Sequence, residues 1–131
     1  MSVVHVVVPE GIDDPARPSG GNAYDRRLIT GLIDLGWSVR EWHATGDWPR
    51  TDGTTRAALA ETIAAIPDHS VVVVDGLVAS ASPEVLVPAS TRLRLVVLMH
   101  MPLGALPGDR GRRSRVAERA VLHAAVPVLT T

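Results

Sequence analysis

Four consecutive valines, Val71 to Val74, run directly into Asp75 and Gly76, and a second nearly unbroken β-branched run fills residues 3–8. Such stretches lack polar alternation, so a strand built from them needs cover on both faces. Residues 95–99 repeat the pattern, and residues 126–131 begin another apolar run. This demand constrains the fold more than any other feature. It selects a parallel sheet with helices on both sides over an antiparallel sheet with one wet face.

The segments between the runs have helical periodicity. Leu28, Ile29, Leu32 and Ile33 recur at helical spacing, with Asn22 as the expected N-cap, Asp25 in the first turn and Gly36 placed to end the helix. Residues 55–66 carry Leu59, Ile63 and Ile66 on one side, and Pro67 closes them. Residues 83–89 read as a short helix. An Arg-rich helix with Val116, Ala120, Val121 and Ala124 inward is expected before the last strand. Residues 38–42 form a short second strand. The expectation is therefore an α/β fold, a three-layer Rossmann-like doubly wound parallel sheet of about five strands in the order 3-2-1-4-5. Ligands in such sheets sit beyond the carboxyl ends of the strands at the switch point, expected here between the first and fourth strands.

At 131 residues the chain has the length of one domain. A hydrophobic fraction of 46% with 21% charged residues fits a folded chain and not a disordered one. The net charge of −1 offers no broad surface for nucleic acid. Cysteine is absent, which excludes disulfides, thiolate metal sites and Cys nucleophiles within these residues. The thirteen basic residues are all arginine, so a phosphate-binding P-loop lysine and Schiff-base chemistry are excluded as well. The start has no basic region before its apolar run, and no run approaches the roughly 20 residues of a membrane helix. A cytoplasmic location is the expectation. No repeat of solenoid period occurs. Residues 126–131 read as a strand that continues into a longer protein.

Several residues stand out for chemistry. Gly20-Gly21 before a helix allow close backbone approach, and the free amides there suit an anion; the plainer reading is a flexible loop. His100, just past a strand at the carboxyl edge, can donate to a ligand hydroxyl or cap a loop carbonyl. Asp75-Gly76 offers an acid at a strand's carboxyl end or a common turn. His5, inside the first run, reads as a satisfied core residue. Trp37, Trp42 and Trp48 suit core packing or a stacking platform. Arg110, Arg112, Arg113, Arg115 and Arg119 suit a solvated helix face or an acidic ligand. Glu41 lies 20 residues past Gly21, where a dinucleotide site keeps its ribose acid, but the G-x-G-x-x-G spacing is missing.

Taken in order, four segments resemble the N-terminal half of a GT-B glycosyltransferase of the retaining group called family 4. They are Pro18-Ser19-Gly20-Gly21-Asn22-Ala23-Tyr24 with the helix ending Leu32-Ile33-Asp34-Leu35-Gly36-Trp37-Ser38-Val39; Val71 to Gly76; Leu95 to Pro102; and Glu118 to Thr131. Trp37 stands where the family usually has histidine. The resemblance implies the acceptor-side domain of an enzyme that moves a sugar from a nucleotide-diphosphate sugar to an acceptor. It places Gly20 and Gly21 near the donor diphosphate or acceptor, and His100 on the donor-sugar side of an interdomain cleft. Gly20, Gly21, Asn22, Tyr24, Asp75, Gly76, His100 and Met101 are the candidate substrate-binding residues; no catalytic or metal-ligating residue is assigned. The family's E-x7-E carboxylates belong to a C-terminal Rossmann-like domain and have no counterpart here, so these residues are expected to be inactive alone. A free-standing Rossmann-like module holding a small anion or sugar is the alternative, followed by an NAD-dependent oxidoreductase domain.

Overall fold

The computed structural model describes residues 2–16, 20–99 and 128–130. Its elements are β1 (Val3–Pro9), α1 (Gly20–Asp34), β2 (Ser38–Ala44), α2 (Gly53–Ala64), β3 (Val71–Asp75), α3 (Gly76–Ser80), α4 (Pro83–Ala89), β4 (Arg94–Met99) and β5 (Val128–Thr130). The five strands make one parallel sheet, and the apolar runs form β1, β3 and β4 at its centre. The expected Arg-rich helix lies outside the described residues.

The strand order is 2-1-3-4-5, not 3-2-1-4-5. The valine run of β3 pairs with β1 on one side and β4 on the other, because only a central place covers both of its faces. β2 carries exposed Arg40 and His43 and takes the edge, where such residues reach water. The chain thus reverses direction across the sheet between β1 and β3. The switch point lies there rather than between the first and fourth strands.

Alternation along the strands divides the core into two layers. Val7, Val72, Val74, Leu95, Val97 and Met99 pack with Leu59, Ile63, Ile66, Val78, Ala79 and Leu86 from α2, α3, α4 and their connections. Val4, Val6, Val8, Val73 and Leu98 face the other way, against Ile29 with Leu28 and Leu32 of α1. Two helix layers therefore enclose the sheet.

Local signals close the helices. Asp52 caps α2 by accepting from the Thr55 N–H at 2.8 Å, which starts that helix two residues earlier than its apolar spacing suggests. The guanidinium of Arg92 donates to the carbonyls of Ile63 and Ile66, both at 2.7 Å, and satisfies the last turn of α2. Gly36, at φ +94°, ends α1 as expected; its N–H reaches the Ile33 carbonyl, while the Trp37 N–H reaches that of Leu32. α1 itself begins at Gly20, so Asn22 lies inside its first turn and is not the N-cap.

Candidate functional site

The carboxyl edge of the sheet is organised around Asp75. As the last residue of β3 it shares the face of Val71 and Val73, which is the α1 face. Its carboxylate accepts from the Leu77 N–H at 2.8 Å and caps α3. Asp75-Gly76 is accordingly a strand-to-helix junction and not a simple turn. Gly76 is required there for close approach: a Cβ would meet the Leu98 carbonyl oxygen at 3.0 Å, Met99 Sδ at 3.2 Å and Met99 Cα at 3.3 Å.

Facing Asp75 is Asp25 of α1, 1% exposed against 3% for Asp75. Asp25 precedes Leu28 and Ile29 by three and four residues and so belongs to the sheet-facing stripe of α1. It is not a first-turn acid, since α1 begins five residues earlier. Burial chiefly, then a side-chain hydrogen bond to Asp75 and the charge of Asp75, push the Asp25 carboxyl up to about 9.

Arg26 reaches the opposite way. Its Nε donates to Asp13 Oδ1 at 2.9 Å and its Nη2 to Asp13 Oδ2, while Nη1 and Nη2 contact Glu41 at 3.0 and 2.6 Å. His43 Nε2 lies 2.7 Å from Glu41 Oε1. One guanidinium therefore ties the loop after β1 to the edge strand and to α1. Hydrogen bonds from Arg26 hold both Asp13 and Glu41 below the usual carboxylate range. Glu41 is thus committed to Arg26, which leaves the dinucleotide reading of that acid without support.

The structure brings together some of the residues singled out by sequence. Gly20, Gly21, Asn22 and Tyr24 fall in the first turns of α1, within about 8 Å of axial rise from Asp25. Asp75 and Gly76 stand at the switch point beneath that helix end. Tyr24 is partly exposed. His100, Met101 and the arginines of residues 110–119 lie outside the described residues. His5 is buried, accepts from Trp42 Nε1 at Nδ1 (3.1 Å) and stacks on that ring at 6.2 Å. Desolvation first, then the charge of Arg40, lower its pKa, so it is a neutral core residue. Trp42 and Trp48 pack on one core layer and Trp37 on the other. Among the described residues no group of three or more His, Asp or Glu side chains is placed to hold a metal, and no helix is long and apolar enough to cross a membrane.

Sequence reasoning missed Asp25 as part of this edge. The available signal was an acid at the i−3 and i−4 positions of an apolar stripe.

No family model, curated protein or solved structure matches the chain.

Proposed function

We propose that the chain is the N-terminal, acceptor-side domain of a nucleotide-sugar-dependent glycosyltransferase of the GT-B kind, resembling retaining family 4. One observation carries the reading: a diglycine opens α1 over the switch point, on the same edge as Asp75-Gly76. Backbone amides at such a helix start suit a diphosphate and would steady the charge that develops as it leaves the sugar. In the transfer the bond from the anomeric carbon to the diphosphate oxygen breaks and a bond to the acceptor oxygen forms. The acceptor's proton departs with that step.

In this reading Gly20, Gly21 and Asn22 face the donor diphosphate, and Tyr24, Asp75 and Gly76 border the acceptor. His100 and Met101 border the donor sugar. A second Rossmann-like domain of the same protein supplies the nucleotide pocket and the E-x7-E carboxylates, so this domain does not turn over alone. A cytoplasmic location belongs to this reading.

The test is sugar transfer by the full-length protein across a panel of nucleotide-diphosphate sugars. Turnover of one of them is expected, with His100→Ala lowering it more than tenfold while stability stays within about 1 kcal/mol. No turnover with any donor, or full activity in a destabilised His100→Ala variant, counts against the assignment. Saturable binding of NADH, followed by its fluorescence, would replace it with the oxidoreductase reading.

A further inference from the structure

His5 and Trp42 stand on the neighbouring parallel strands β1 and β2, 37 residues apart in sequence, and on the same face of the sheet. The Trp42 Nε1–H donates to His5 Nδ1 at 3.1 Å, with the ring planes 21° apart. An imidazole nitrogen that accepts has no proton, so the proton of this neutral ring is on Nε2 and a second one must go to Nδ1. That atom is the one the indole occupies, and His5 is only 7% exposed. We propose that His5 and Trp42 form an acid-released latch between β1 and the edge strand: proton uptake at Nδ1 displaces the indole N–H and loosens β2 from its central neighbour.

The surroundings of the ring favour release over an imidazolium that stays in place. Beside His5 in register are Arg40 on β2 and Val72 on β3. Among the described residues Arg40 is the charge that acts on His5, and it is a cation that repels an imidazolium. Glu41 and His43 of β2 alternate onto the α1 face, where Arg26 binds Glu41. On the His5 face, α2 turns Leu59, Ile63 and Ile66 toward the sheet, and α3 carries no charged residue. Of the charged residues of α2, Arg56 pairs with Glu84 of α4 at 3.1 Å and Glu61 is exposed. Past the end of α2, Asp68 pairs with Arg92 at 3.1 Å, and His69 is exposed. Among the described residues a protonated His5 therefore gains no counterion, and a buried charge without one is costly.

The direction of the pH effect follows. In the unfolded chain His5 ionises near its ordinary 6.5, and burial first, then the charge of Arg40, lowers that value in the folded chain. Between the two values the unfolded state binds more protons, so stability falls as pH falls. Above the window both states are neutral and the effect vanishes. The inference does not depend on the transferase reading.

Denaturant unfolding of the chain and of His5→Gln at pH 5, 6, 7 and 8 tests it. Glutamine offers the indole an acceptor that does not titrate, and the other histidines are common to both proteins and cancel. The folding constant of His5→Gln relative to the parent should be flat from pH 8 to 7 and rise on acidification below about 6.5, by up to about tenfold per unit. A ratio that stays constant over the whole range overturns the inference. Hydrogen exchange of the Trp42 indole, followed by nitrogen-15 NMR, locates the effect. It should be faster in the parent than in His5→Gln at pH 5 and equal in the two at pH 8; equal exchange at pH 5 counts against the latch. Should His5→Gln fail to fold, the imidazole nitrogens of the parent are followed by NMR. One ring is expected to stay neutral, with Nδ1 unprotonated, at a pH where the others are charged. All the imidazoles titrating together would equally overturn it.

Discussion

The two faces of the sheet are held by different means. Under α2, α3 and α4 the contact is a broad layer of buried Val, Leu, Ile, Ala and Met side chains, supplemented by Trp42 and Trp48. Among the described residues the apolar layer under α1 is smaller, and the carboxyl end of that helix–sheet contact is polar: Asp25 on Asp75 inward, Arg26 on Asp13 and Glu41 outward. Apolar burial is non-directional and sets how stable the domain is. Hydrogen bonds and ion pairs add less stability but fix geometry, here the position of the helix start relative to Asp75-Gly76. The face that carries the candidate site is therefore the one defined by directional contacts.

The sharpest way to break this contrast is a cavity in the apolar face. Leu86→Ala removes a fully buried side chain in α4 and should cost about 2–5 kcal/mol in denaturant unfolding. A loss below about 1 kcal/mol would mean that this face does not dominate stability. Next comes the junction itself. Gly76→Val places a side chain against the Leu98 carbonyl and Met99, which have little room to yield, and should destabilise by about 1–3 kcal/mol. It should also reduce ligand binding at the edge, whereas Leu86→Ala should leave binding unchanged at temperatures where it is folded. The smallest effect is expected for Arg26→Ala. Its contacts are partly exposed, so the cost should stay below about 1 kcal/mol. That difference should shrink in 1 M salt, where the screening length falls to about 3 Å. A salt-independent loss would show that Arg26 contributes through packing rather than charge.

Much of this architecture is legible in the sequence, for stated reasons. The valine runs announce strands covered on both faces, and Leu28, Ile29, Leu32 and Gly36 mark α1 and its end. The tryptophans and His5 read correctly as packing residues. The strand order was harder to see, because adjacency in the chain favours pairing the third strand beside the second. The stronger cue was the contrast between Val71 to Val74 and the polar Arg40, Glu41 and His43 of β2, since the more apolar strand takes the centre. Asp25 reads from the sequence as a first-turn acid, because an acid near a helix start is ordinarily a partner of the helix dipole. Its meeting with Asp75 is a tertiary contact that no local pattern encodes. α3 is likewise hidden, since Asp-Gly is also a common turn, and the Leu77 N–H on Asp75 distinguishes the two.

The central place of β1 bears on how the chain assembles. Val4 pairs with Val39, 35 residues away, and with Val71, 67 residues away. Because closure entropy grows only with the logarithm of loop length, doubling the separation adds about 0.6 kcal/mol. The two neighbours of β1 thus compete for it on nearly equal terms of chain entropy, and the more apolar β3 has the larger reward for docking. Folding that begins with β1 on β3 would let β2 join afterwards as a rim, so substitutions in β2 should speed unfolding more than they slow folding.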